Sequence, residues 1–251
     1  GIMFAVWLIA LRIQNAGIVD IAWAAGFSIL AALYAGLGDG YLPRRLLTAV
    51  MAAFWSLRLA HYLYRRVMGH HPVEDGRYSQ LRHEWAGRWN VKLFLFFQLQ
   101  AGLNVLLSVP FLLACLNTSP PIHAVEWFAC FLWGVSFWGE CLADSQLERF
   151  KVDPANRGKV CEEGLWRYSR HPNYFFEWLI WVSYFLFAAA SPYGLLTVYC
   201  PLLMLYFLFK VTGIPMTEEQ AVRSKGDAYR KYQKSTSAFV PWFKRPVVSS
   251  E

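Results

Sequence analysis

The chain has 251 residues, of which 56% are apolar and 16% charged, with a formal net charge of +7. An ordinary soluble domain is about 25% charged. With 18% aromatic residues as well, the composition excludes a disordered chain, a coiled coil, a small disulfide-stapled domain and a typical cytosolic enzyme, and leaves a polytopic membrane protein. The five cysteines, at 115, 130, 141, 161 and 200, form no CxxC pairing, so neither a disulfide framework nor a metal site is expected.

A bilayer core asks for about 20 mostly apolar residues per helix. In chain order the apolar runs predict seven spans, at about 2–14, 17–36, 44–66, 92–116, 122–146, 173–190 and 193–214. The first is short. The chain opens Gly-Ile-Met, which reads as a trimmed start or a tag scar, and no basic leader or small-residue cleavage site marks a signal peptide. Beyond the last span, Thr217-Glu218-Glu219-Gln220 reads as a capping box that opens a polar helix over about 217–232. A frayed end is expected past Phe243. The fold class is therefore all-α: one membrane domain over 1–251, about seven transmembrane helices, and a water-facing layer on one side.

Twenty of the 24 Lys and Arg residues fall in three blocks, 65–92, 149–170 and 210–245, while the loops near 117–121 and 189–193 hold none. Seven spans put all three blocks and the C-terminus on one side, which the positive-inside bias makes cytoplasmic. Arg44 and Arg45 are a local exception. Charges distributed this way serve topology and lipid head groups, so nucleic acid is not an expected partner.

Ionisable groups inside a span cost about 2.5–3.5 kcal/mol on insertion scales and ask for a reason. Asp20 lies three residues into the second span, in Val-Asp-Ile-Ala-Trp23, and needs a partner; Arg58, His61 and Tyr62 are candidates. On the third span Trp55, Arg58, His61, Tyr62 and Arg65 share about a third of the helix circumference. That stripe is either a buried interhelical network or the lining of a cavity, where a Tyr hydroxyl could serve a carbonyl that gains negative charge. The fifth span ends with Glu140, Asp144 and Lys151 on one face. Then follows Gly164-Leu-Trp-Arg167-Tyr168-Ser-Arg170-His171-Pro172-Asn173-Tyr174, with Glu177 one turn on. Pro172 suits the first turn of the sixth span. Two Arg, a His and a helix N-terminus there make an anion site by charge and dipole. No nucleophile elbow surrounds Ser169, so a hydrolase is not indicated.

These residues carry a resemblance to the steroid 5α-reductase family, specifically its bacterial membrane branch. Trp138-Gly-Glu140-Cys-Leu-Ala-Asp144 is similar to the family's Asn-x-x-x-Asp, with Glu140 in place of the Asn. The 164–177 segment is similar to its Gly-Leu-Phe-x-Tyr-x-x-x-x-Asn-x-x-x-Glu. His61-Tyr62-Leu-Tyr-Arg65 is similar to its His-Tyr-Phe-His-Arg, and Asp227-Ala-Tyr-Arg-Lys-Tyr232 with the following Phe-Val-Pro241-Trp resembles its C-terminal ending. The family's early glutamine–glutamate pair has no match, and Asp20 stands for its acid by position and chemistry.

The resemblance implies a bacterial inner-membrane enzyme, a monomer in the lipid. Its cofactor would be NADPH, its substrate a 3-oxo-Δ4 steroid or related lipid enone. Glu140, Asp144, Arg157, Arg167, Tyr168, Arg170, His171, Asn173, Glu177, Arg223 and Tyr232 would surround the nucleotide. Tyr62, His61 and Asp20 would grip the substrate carbonyl, with Arg58, Trp23 and Trp55 beside the substrate. No Rossmann GxGxxG occurs, so the nucleotide would be held within the bundle. Arg-His-Pro-x-Tyr also occurs in isoprenylcysteine carboxyl methyltransferases, which use S-adenosylmethionine. A membrane methyltransferase is therefore one alternative, and a non-catalytic sterol- or lipid-binding protein another.

Overall fold

A computed structural model describes residues 1–69, 71–211 and 213–246. Eleven α-helices are found among them: α1 (Ile2–Ile13), α2 (Ile18–Leu37), α3 (Leu42–Gly69), α4 (Gly76–Glu84), α5 (Trp89–Leu107), α6 (Val109–Leu116), α7 (Ala124–Val152), α8 (Pro172–Ala189), α9 (Tyr199–Tyr206), α10 (Ile214–Lys225) and α11 (Asp227–Ser235). Short 3-10 turns and one π turn, Phe207–Val211, join them. Among the described residues the extended structure is one isolated bridge, Ser169 to Ser237. The all-helical expectation is met.

Among the described residues four stretches are long and apolar enough to cross a membrane: Ile18–Leu37, Leu42–Gly69, Trp89–Leu116 and Gly194–Lys225. The predicted spans at 122–146 and 173–190 are helices as well. α7 spends positions on Glu126, Glu140, Asp144 and the charged run from Glu148, and α8 on Asn173, Glu177 and its Trp and Tyr residues, which lowers their hydropathy. The Ile2–Ile13 helix is apolar but too short.

The chain packs as two compact units. Unit 1 comprises Gly1–Ile122 with Ser191–Gly194. In it α2 and α3 run antiparallel. Ser28 pairs with Ser56 through their hydroxyls, and Gly17 meets Val67. These pairs belong to one register, which sets Asp20 and Trp23 level with the Tyr64 and His61 turns of α3. Phe27, Trp55 and Phe111 fill the space between helices, all buried and in ring contact. The predicted 92–116 span is broken at Ser108 into α5 and α6, because Pro110, at the start of α6, has no N–H for the ladder.

Arg44, the exception to the charge asymmetry, is completely buried. Its Nη1 donates to the Asn117 and Ser119 carbonyls at 3.1 and 2.9 Å, and its Nη2 to the Pro121 carbonyl at 3.1 Å. Arg45 Nε donates to the Ala35 carbonyl at 2.7 Å. Both guanidinia cap loop and helix carbonyls, so they serve folding at this end of the unit and do not mark orientation.

Unit 2 comprises His123–Ala190 with Leu195–Glu251. Here α7 and α8 are antiparallel neighbours. Trp133 Nε1 donates to Tyr184 Oη at 3.1 Å and Asn173 Nδ2 to Asp144 Oδ1 at 3.1 Å, two contacts that share one register. Gly139 admits the Phe176 ring, which a Cβ would meet at 2.5 Å. The polar helix predicted over 217–232 is two helices. Pro215 starts α10 earlier, and Gly226, at φ 56°, ends it in a left-handed turn before α11. Thr217 therefore lies inside α10 and donates back to the Gly213 carbonyl at 2.9 Å, so the expected capping box does not form. The end expected to fray past Phe243 is described only to Pro246; residues 247–251 lie outside the described residues.

Candidate functional site

Chemistry-bearing residues gather in each unit separately. In unit 2 the α7–α8 register brings four of the expected residues into one row. Asp144 accepts from Asn173, as above, and the same register sets Glu140 level with Glu177. Glu140 is buried, and Glu177 Oε1 accepts from Trp181 Nε1 at 3.1 Å. Asn173 also accepts from the Tyr174 amide at 3.0 Å, so its side chain is oriented from both ends.

Arg170, His171 and Tyr232, expected at the nucleotide, are engaged inside the protein instead. Arg170 Nε donates to Glu218 Oε1 at 2.6 Å, and its Nη1 to the carbonyls of Gln233 and Thr236 at 2.9 and 2.5 Å. His171 is buried, with Nε2 3.2 Å from the same Glu218 oxygen and its ring stacked on Tyr174. Tyr232 is buried, and burial pushes its hydroxyl above the ordinary phenol value. It stays protonated and donates to the carbonyls of Trp166 and Ser169. Together with Ser169 Oγ to the Phe239 carbonyl at 2.7 Å, these bonds latch α10, α11 and the following segment onto the 164–171 loop. Gly164, at φ 54°, presses that loop on Gln146 of α7, whose Oε1 accepts from the Leu165 amide at 2.9 Å. Arg157, Arg167 and Tyr168 are exposed, and so is Arg223, which pairs with Glu219 one turn away. An open polar cleft of about 360 Å³ lies beside Gly164, lined by Arg149, Asp153, Asn156 and Glu163 among others.

In unit 1 Asp20 has partners, and they are not those expected. Tyr78 Oη donates to Asp20 Oδ1 at 2.7 Å, and Arg77 Nη2 lies 3.0 and 2.8 Å from the two carboxylate oxygens. The guanidinium also rests over the Tyr78 ring, 4.5 Å from its centroid. Tyr78 is fully buried; burial first, then the Asp20 charge, holds its hydroxyl well above the ordinary value, so it acts as a donor. Asp75 caps α4, accepting from the Arg77 amide at 3.0 Å, and pairs with Arg66. Burial raises the Asp75 carboxyl, but those bonds and the Arg66 and Arg77 charges outweigh it and hold it below the usual carboxylate value. Glu74 grips Arg82 with both oxygens at 3.0 Å and accepts from the Ala16 amide at 2.8 Å, tying the segment before α4 to the α1–α2 turn. Tyr62 and Asp20 both lie within electrostatic reach of Arg66. Tyr62 is 43% exposed, His61 is exposed, Arg58 and Trp23 are half-buried, and Trp55 is fully buried against Phe27.

Sequence reasoning passed over Arg77, Tyr78, Asp75 and Glu218. The signal lies in Glu74-Asp75-Gly-Arg77-Tyr78, where an N-capping Asp precedes a short helix inside a block whose charges topology alone would explain.

Both clusters fall inside one family match. The family model described as "Protein of unknown function (DUF1295)" aligns with residues 6–236. The chain belongs to this family. The match takes in both units of the DUF1295 chain, from Asp20 to the Tyr232 latch. A relative in Schizosaccharomyces pombe (strain 972), the uncharacterized protein C594.04c, is 30% identical over 263 residues, covering 94% of this chain and 75% of its own. No solved structure matches.

Proposed function

We propose that this DUF1295 chain is a seven-span membrane reductase that uses NADPH to saturate the C=C bond of a conjugated lipid enone, a 3-oxo-Δ4 steroid or a related molecule. The observation that carries the reading is the row on α7 and α8, where one register aligns Glu140 with Glu177 and holds Asp144 on Asn173. The family resemblance assigns these positions to the nucleotide, and their chemistry fits it. An amide and carboxylates can answer a carboxamide and ribose hydroxyls, which need both donors and acceptors. For the phosphates the exposed Arg157, Arg167 and Arg223 supply charge. Arg170 does not, being committed to Glu218.

Bound NADPH would supply the hydride. The chain's own part is to place the nucleotide on the basic side, exclude water and stabilise charge on the substrate. Hydride arriving at the β-carbon of an enone drives negative charge onto the carbonyl oxygen, and a proton taken up at the α-carbon, drawn from water, completes the saturated ketone. Tyr62 is the donor we assign to that oxygen, since its hydroxyl can donate while its ring packs on hydrocarbon. Asp20, fixed as an acceptor by Arg77 and Tyr78, sets the electrostatics of the same end of unit 1.

The acid-rich row supports a second reading. Three carboxylates suit a cationic cofactor, and S-adenosylmethionine is one, which would make the chain a methyltransferase. A direct test is thermal unfolding of detergent-purified protein with NADPH, NADH and S-adenosylmethionine, followed by anaerobic incubation with lipid enones and product mass. NADPH should raise Tm most, and Asp144→Asn and Asn173→Ala should each lessen that rise. Stabilisation by S-adenosylmethionine alone would replace the reductase reading, and stabilisation by no nucleotide would favour a non-catalytic lipid-binding protein.

A further inference from the structure

Unit 2 presents an aromatic and basic edge that its described residues leave uncovered. The segment after α11 is tied down bond by bond. The Arg170 amide donates to the Ser237 carbonyl at 2.8 Å, the Trp242 amide to the Tyr168 carbonyl at 2.9 Å and the Arg245 amide to the Ser235 carbonyl at 2.8 Å. Between these ties Phe239 turns inward. It is buried, and its ring meets Phe175 and Trp178 of α8 at 5.6 and 5.9 Å between centroids, and Phe209 at 5.1 Å. Phe209 lies where the apolar stretch from Gly194 reaches its first charge, Lys210. The segment is therefore pinned at the level where that span meets water. On this fixed backbone Trp242 and Phe243 are 66% and 75% exposed, and Val240 is exposed beside them. With Ser237 and Arg245 they line an open groove of about 300 Å³.

The charge around the groove is unmatched. Lys244 is taken by Glu162 and Arg230 by Asp227. Lys231, Lys234 and Arg245 are exposed and make no ion pair with another described residue. Lys231 and Lys234 stand one turn apart on α11, and the amide bond to Ser235 sets Arg245 beside the end of that helix. Aromatic rings held in water gain nothing from the fold, whereas at a membrane–water boundary they bury a face and keep the indole N–H wet. Lys and Arg at such a boundary strengthen its hold on anionic lipid about fivefold per charge. We infer that this edge docks on the anionic phospholipids of the adjacent leaflet, with Trp242 and Phe243 in the head-group layer and Lys231, Lys234 and Arg245 on lipid phosphates. A leaflet is favoured over a soluble protein partner because the edge runs on, through Phe239 and Phe209, into the surface of the span itself, where Leu202 and Tyr206 are exposed. The inference goes beyond the reductase reading and does not rest on it, for none of these five docking residues is assigned to nucleotide or enone.

The test uses the full chain, one copy per nanodisc and without nucleotide, and follows amide hydrogen exchange over residues 237–246. The bilayer is phosphatidylcholine alone or phosphatidylcholine mixed with phosphatidylglycerol. Exchange should be at least about tenfold slower in the mixed bilayer, given three charges, and the slowing should fade at high salt. Lys231→Gln, Lys234→Gln and Arg245→Gln together should remove the slowing and leave exchange in pure phosphatidylcholine as in the wild type. Trp242→Ser with Phe243→Ser should weaken it. All five positions are exposed, and unchanged exchange across α8 checks that each variant is folded; the wild-type comparison decides the matter if one is not. Equal exchange in the two bilayers, or slowing that survives in the triple Gln variant, would overturn the proposal. Protection that arises only when two copies share a nanodisc, whatever the lipid, would give the edge to a second chain and overturn it as well. An NADPH titration on the same nanodiscs reports separately on the reductase reading.

Discussion

Two arginine clusters in this chain differ in what they leave over. Arg77 in unit 1 gives its side-chain bonds to Asp20, 57 residues away, and to the adjacent Tyr78, and the side chain remains 30% exposed. Arg170 in unit 2 spends its side-chain bonds on groups 48 to 66 residues away and is 10% exposed. A run of positive charge thus points to a ligand only after its internal partners are counted. By that count Arg170 holds the protein together, while Arg157 and Arg167 face outward.

The sharpest way to break this comparison is Arg170→Ala. Removing Arg170 takes the guanidinium from a largely buried pair and leaves Glu218 with only Gln233 and His171, and the loss should be about 3 kcal/mol of stability, read as a large fall in Tm. An unchanged Tm with weakened NADPH binding would return Arg170 to the nucleotide. Tyr62→Phe comes next. An oxyanion donor is worth about 2.7–4 kcal/mol, so turnover of an accepted enone should fall at least about a hundredfold while Tm and NADPH binding hold. Near wild-type turnover would make the α3 stripe structural.

Asp20→Asn should cost about 1–3 kcal/mol, since Arg77 loses its counter-charge in a partly buried site. Combined with Tyr78→Phe the losses should be less than additive, as expected of one network; strict additivity would dissolve the cluster into separate bonds. The smallest effect belongs to Asp75→Ala, about 0.5–2 kcal/mol for a lost cap. It also has a pH signature. The folded carboxyl is held below its unfolded value, so its stabilisation is present above the ordinary carboxylate range and is lost as pH falls through the lower folded value. A Tm profile from pH 6 to 3 should therefore be flatter in the variant, and an identical acid limb would remove Asp75 from the account.

The helices were legible because apolar runs, Pro172 and the charged blocks bound them locally. Their registers were not. Ser28 against Ser56 and Gly139 against Phe176 are facts about two helices at once, and no single stretch of sequence carries them. The same limit hid the partners of Asp20. Helical-wheel reasoning looked across to Arg58, His61 and Tyr62 on the adjacent span, whereas the loop after α3 folds back as α4 and delivers Arg77 and Tyr78. On α7 and α8 the i, i+4 spacing set Glu140 with Asp144 and Asn173 with Glu177, each pair on one face of its own helix, while the pairing of Asp144 with Asn173 across the two helices came from the family resemblance and not from spacing.

Arg44 bears on the order in which this protein can be made. The carbonyls that receive its guanidinium belong to residues 73 to 77 positions further along the chain. As the polypeptide emerges, the α2–α3 hairpin is therefore finished long before its buried cation has anywhere to bind. That end of unit 1 can close only once synthesis has passed Pro121, and a chain truncated after α5 would carry the charge with its acceptors not yet made.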